Sequence, residues 1–166
     1  MRSQLRHSTK FSIESLGRTK PVLPAEYIVG LTDGEGCFYV NISKLPAYLA
    51  GFRVQLQFHI KLNELDKNLL EAVCESIGCG GVYRQKETRA NHAQCFRYSV
   101  NSHRDIIQTI TPFFRKYPLQ SSSKRLSFEI FCQIANLVKQ EQHLTQKGIE
   151  KIRALKDKMN HRTGLA

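Results

Sequence analysis

From Phe52 to Lys61 apolar and polar residues alternate without a break. Phe52, Val54, Leu56, Phe58 and Ile60 fall on one side, and Arg53, Gln55, Gln57, His59 and Lys61 on the other. A period of two marks a strand with one buried and one wet face, the pattern of an antiparallel sheet. The same period follows Gly36, where Phe38, Val40 and Ile42 alternate with Cys37, Tyr39, Asn41 and Ser43. A loop containing Pro46 and Gly51 joins the two runs, so they predict a hairpin.

Helical spacing surrounds this hairpin. Pro24 suits the first position of a helix, Glu26 suits its first turn, and the helix is expected to end near Thr32 or Asp33. A second helix is expected over 64–77, with Leu65, Leu69, Leu70, Val73 and Ile77 as its apolar stripe, Asn63 as N-cap and Gly78 as stop. A second hairpin is expected over 81–86 and 94–100, with a polar loop at 87–93. Ser102 can cap a helix through about Phe114, and Pro118 breaks the chain. Ser121, Ser122 and Ser123 offer caps for a helix carrying Leu126, Ile130, Ile134 and Val138 in register. Thr145 opens a last helix with Ile149, Ile152, Leu155 and Met159 on one side. The order is α-β-β-α-β-β-α with further helices at the C-terminal end, an α+β arrangement.

The wet face of the second strand contains no acid. The whole chain, 166 residues, carries a formal net charge of +11, which points to a polyanionic partner such as nucleic acid. Arg and Lys match guanine edges and Gln matches adenine edges, and a two-stranded ribbon fits the major groove. Tyr39, Asn41 and Ser43 extend this surface, and Tyr83, Gln85 and Arg97 are the matching candidates from the second hairpin. No apolar run is long enough to span a membrane. Cysteines 37, 74, 79, 95 and 132 form no C-x-x-C pair, so small buried thiols are expected rather than a zinc site. Residues 1–22 read as a basic arm and 23–166 as one domain. The arm suits an organellar transit peptide and a DNA-touching tail equally.

The run Tyr27-Ile28-Val29-Gly30-Leu31-Thr32-Asp33-Gly34-Glu35-Gly36-Cys37 places two acids and three glycines at the end of a short apolar helix. Acids oppose the macrodipole there, and a helical glycine costs about 1 kcal/mol against alanine. Close backbone contact at Gly30 and a divalent cation near Glu35 would explain both. A carboxylate with one carbonyl oxygen is a partial shell for Mg²⁺, which takes the remainder from water and phosphate. Asp33 is read as a structural cap or turn partner, and Glu35 as the metal ligand.

The stretch Ile28–Gly36, I-V-G-L-T-D-G-E-G, resembles the signature of the LAGLIDADG homing endonucleases. It keeps glycine at 30, leucine at 31, aspartate at 33 and glycine at 36, with glutamate at 35 for the second aspartate. Phe58 to Val82, Lys116-Tyr117-Pro118-Leu119 with Lys124, and His143-Leu144-Thr145 through Lys156-Asp157-Lys158-Met159-Asn160 are similar to later segments of that family.

The resemblance implies an αββαββα fold with a DNA-binding saddle of antiparallel strands. It implies cleavage of both strands of a long DNA site with a divalent metal, normally Mg²⁺. Glu35 would be the metal ligand, helped by the Gly34 carbonyl. Lys124 is the best match for the lysine that lines such sites, with Lys116 nearby. Lys61 is the candidate for the polar residue ending the second strand, although the aligned neighbour is Leu62. One signature implies a homodimer, with Tyr27, Gly30, Leu31 and Asp33 at the interface and a pseudo-palindromic target. Intron-encoded relatives also act as RNA-splicing maturases, so intron RNA is an alternative partner. A non-catalytic DNA-binding protein of this fold is the third reading. The transit-peptide-like composition of the arm makes an organelle such as the mitochondrion the expected location.

Overall fold

The computed structural model describes residues 22–86 and 94–161. The basic arm, except for Val22, and the loop expected at 87–93 lie outside the described residues. The elements are α1 (Ala25–Glu35), β1 (Gly36–Lys44), β2 (Phe52–Asn63), α2 (Lys67–Ile77), β3 (Gly81–Gln85), β4 (Cys95–Val100), α3 (His103–Asp105), α4 (Thr111–Lys116), α5 (Ser122–Lys139) and α6 (Gln146–His161). The predicted α-β-β-α-β-β-α order is therefore present, with helices added at its end.

The four strands form one antiparallel sheet in the order β1-β2-β4-β3. In β2, Val54, Leu56, Phe58 and Ile60 are buried while Arg53 is exposed and Gln55, Gln57, His59 and Lys61 are half-buried. The even-numbered residues face helices α1, α2 and α5, which cover one side of the sheet. Phe38 lies at the centre of this interface. Its ring is 5.1 Å from Phe58, 5.5 Å from Phe114, 5.1 Å from Phe128 and 5.4 Å from Phe131, centroid to centroid. The start of α1 is tied down by Leu23 N donating to Ser76 Oγ at 2.8 Å.

Several boundaries differ from expectation, each for a local reason. Pro24 precedes α1 as its N-cap, and the helix runs on through both signature acids to Glu35. The segment before α2 is a 3-10 turn, Glu64–Asp66, because the Asn63 side chain accepts from Leu65 N at once. Leu65 is thereby turned out, 88% exposed, and does not belong to the apolar stripe. The helix capped by Ser102 extends to Lys116 and contains a π segment, Ile106–Ile110. Pro112 lacks an N–H and its ring crowds the carbonyl four residues back, so the wider turn beside it accommodates the ring. Leu126 is only partly buried, and of the five thiols only Cys132 is buried; the other four are half-buried. No helix of the described residues is long and apolar enough to cross a membrane.

Candidate nucleic-acid interface and active centre

The register of the sheet gathers the predicted DNA contacts on one surface. Tyr39, Asn41 and Ser43 stand opposite Gln57, Gln55 and Arg53. Lys61 is opposite Arg97, Arg97 is opposite Tyr83, and Gln85 is opposite Cys95. Side chains alternate across a strand, so every one of these lies on the face away from the helices. Tyr39 and Tyr83 are 43% and 56% exposed. Asn41 Nδ2 donates to Gln55 Oε1 at 3.1 Å, which ties the two amides together across the strands. Lys156 of α6 lies 6.0 Å from the Tyr39 ring centre and adds a cation at the rim. Sequence reading did not place Lys156 there, because only the packing of α6 brings it to this edge.

The end of α1 explains the two acids differently. Asp33 Oδ2 accepts from Gln120 N at 2.8 Å, just before α5 begins at its Ser121 cap. A carboxylate that opposes its own helix dipole thus sits by the favourable end of another. This is the structural role expected of Asp33. Asp33→Ala should cost about 1.5–3 kcal/mol, the usual worth of a hydrogen bond to a charged group, measurable by denaturant unfolding.

Glu35 has no such partner. It is exposed, closes α1, and makes no hydrogen bond or ion pair among the described residues. Next to it Gly36 N donates to Thr32 O to end the helix. A Cβ at position 36 would come within 2.6 Å of Thr32 Cγ2, so only glycine permits this tight exit into β1. Gly34 lies within the last turn, where carbonyls lack intrahelical partners.

Lys124 Nζ donates to Gly36 O, from the first turn of α5. A cation there opposes the α5 dipole but suits the α1 C-terminus it reaches. Lys116 instead lies 5.2 Å from the Tyr117 ring centre. Of the two lysines in question, Lys124 is the one beside Glu35. Lys61 lies one step further along β2, since Gly36 pairs with Ile60.

Two further groups join this end of the sheet. His59 pairs with Cys37 across the strands, and its pKa is lowered from 6.5 to about 4 by burial first, then by Arg97 and Lys124. Burial raises the Cys37 thiol above its ordinary value against the pull of Lys124 and Arg97. His59 Nδ1 and Arg97 Nε are buried atoms without partners among the described residues. Arg97 and Lys124 are thus two cations flanking the neutral His59 ring, at the end of the sheet where α1 presents the exposed Glu35 carboxylate. No group of three His, Cys, Asp or Glu side chains among the described residues could hold a metal within one chain.

His103 and His143 are also held below their usual value, both mainly by burial. The three histidines resist protonation in the folded state, so the unfolded chain binds more protons in acid. Stability should be fullest above pH 6.5, and His59's share should fall away between pH 6.5 and about 4. Melting temperature against pH should show a shallower acid decline for His59→Gln than for the unaltered chain.

Comparison with known proteins agrees with this geometry. Residues 28–135 match the LAGLIDADG endonuclease family. A "probable intron-encoded endonuclease 2" of Neurospora crassa is 32% identical over 143 residues, covering 86% of this chain and 29% of the relative. An "uncharacterized 50.9 kDa protein in ND4 intron 1" of Podospora anserina is 33% identical over 122 residues, covering 72% and 25%. The crystal structure of a homing endonuclease, I-TnaI, superposes with a TM-score of 0.73 at 31% identity, over 83% of this chain and 88% of that one. I-SmaMI bound to uncleaved DNA target in the presence of calcium ions gives 0.76 at 32%, over 87% and 46%. The chain thus spans under a third of these curated relatives and about half of I-SmaMI.

Proposed function

The chain belongs to the LAGLIDADG endonuclease family, and from that premise we propose that two copies of it form a site-specific DNA endonuclease. The reaction is a double-strand break at a long pseudo-palindromic target by metal-dependent phosphodiester hydrolysis. One observation carries this reading: Glu35, an exposed carboxylate without a partner among the described residues, stands where an acid-free sheet face meets Lys124, Arg97 and His59.

The donors available to an ion fit Mg²⁺ or a similar hard cation. They are the Glu35 carboxylate and the Gly34 carbonyl, oxygen atoms both. They are too few for a complete site, which agrees with a shell shared with a second copy and with DNA phosphate. When bound, such a cation supplies charge neutralisation and activation of water. Lys124 and Arg97 hold the phosphate, and Lys124 also fixes the α1–β1 junction through Gly36 O. The residues at 39, 41, 43, 53, 55, 57, 83 and 85 read base edges and backbone. Relatives described as intron-encoded support an intron origin and an organellar location for this chain.

Selection of cleaved sites from a randomised DNA library with Mg²⁺ present tests the whole reading. The expected product is a long, pseudo-palindromic consensus cut on both strands. Absence of cleavage, or a short asymmetric site, overturns it. Lys124→Met should lower the cleavage rate by about 10²-fold, the scale for losing one charge-stabilising donor, and weaken target binding by the smaller amount lost with one phosphate contact, measured in a binding titration.

A further inference from the structure

A cavity of about 340 Å³ opens beside α1. Glu26 and Gly30 form one wall, and Lys116, Tyr117 and Pro118 the other. A Cβ at Gly30 would touch nothing within 4 Å, so no contact within the chain requires glycine there. Tyr27, three residues before Gly30 and on the same helix face, is 49% exposed. Glu26 is exposed and makes no hydrogen bond or ion pair among the described residues, while Lys116 only skirts the Tyr117 ring.

Area argues that a helix pair alone is too small. Eleven residues make a helix ~16 Å long and ~10 Å wide, far short of the ~800 Å² per partner of a stable interface. Contact between two copies has to spread to a neighbouring surface, and this cavity is contiguous with the open side of α1. Its charges also suit a twofold axis. Across such an axis residue i meets j and j meets i, so a cavity carrying both an acid and a base is self-complementary.

We propose that the cavity beside Gly30 receives the Tyr27 ring of a second copy of this chain, with Lys116 facing the partner's Glu26. This rests on the twofold reading above and adds to it the surface that selects the partner. The ring supplies buried apolar area, and the two reciprocal charge pairs set orientation and reject partners lacking them.

The test measures dimer dissociation by analytical ultracentrifugation for Glu26→Lys, Lys116→Glu, their one-to-one mixture, and the doubly reversed chain. Each single variant should dissociate at least roughly tenfold more readily, because two like-charge contacts replace two attractive ones. The mixture should recover wild-type affinity as a heterodimer, and the doubly reversed chain as a homodimer. Recovery in the doubly reversed chain without recovery in the mixture would mean the pair acts within one chain, and the proposal fails. Singles that dimerise like wild type also overturn it while leaving the twofold reading intact. A wild-type chain that stays monomeric at micromolar concentration with target DNA sinks the twofold reading itself. Tyr27→Ala, at an exposed position that folding does not need, should weaken dimerisation by a similar factor; an unchanged constant would count against the cavity as the seat of the ring.

Discussion

Glu35→Gln should leave a folded chain that binds its target and does not cut it. The change keeps the size of the side chain and removes one negative charge. Glu35 supports no hydrogen bond or ion pair among the described residues, so melting temperature should stay within about 1–2 °C of the unaltered chain, as for a surface substitution. Metal-assisted stabilisation of a developing oxyanion is worth several kcal/mol, and each 1.36 kcal/mol is tenfold in rate, so cleavage should fall by about 10³-fold or more. Single-turnover cleavage and a binding titration on the same DNA separate the two effects. Retained cutting by the glutamine variant would remove Glu35 from the reaction. Asp33→Asn, which changes the same charge two residues away, should alter stability far more than rate.

Phe38→Ala should produce the largest loss of stability of any single truncation considered. The ring is 5% exposed and in contact with four other aromatic rings. Buried phenylalanine truncations cost about 3–5 kcal/mol through lost transfer energy and the cavity left behind. For a chain of this size that corresponds to a fall of about 6–20 °C in melting temperature. Calorimetry gives the number. Phe38 lies two residues after Gly36, so loosening the cluster should also loosen the junction that presents Glu35. Cleavage at a temperature where the variant is still folded should therefore drop as well, whereas Leu65→Ala, at an exposed site, should change neither quantity.

The parts that were legible in the sequence are those with one physical interpretation. An unbroken period of two over Phe52–Ile60 can only be a half-buried strand, and its wet face followed from parity alone. The family-like run Ile28–Gly36 singled out Glu35 as a candidate because an acid between two glycines at a helix end has few structural uses. The start of α2 was misread because Leu65 keeps helical spacing with Leu69, while Asn63 starts a 3-10 turn that swings Leu65 outward. The π segment was hidden because Ile106 and Ile110 sit four apart, a spacing that an α-helix satisfies equally. The choice between Lys116 and Lys124 depended on how far a side chain reaches across α1 and α5, which no spacing within one segment encodes. The association of Arg97 with His59 depended on the β2–β4 register, where Lys61 meets Arg97 and His59 meets Ser99.

The odd-numbered residues of the sheet contribute little to the interior, and the even-numbered ones face the helices. Under the proposed reading, recognition and folding are written in interleaved but separate alphabets along the same strands. Changes to the outward letters can then be made one at a time without endangering the architecture. For engineers the same layout marks where to randomise: diversify 39, 41, 43, 53, 55 and 57, and leave their neighbours untouched.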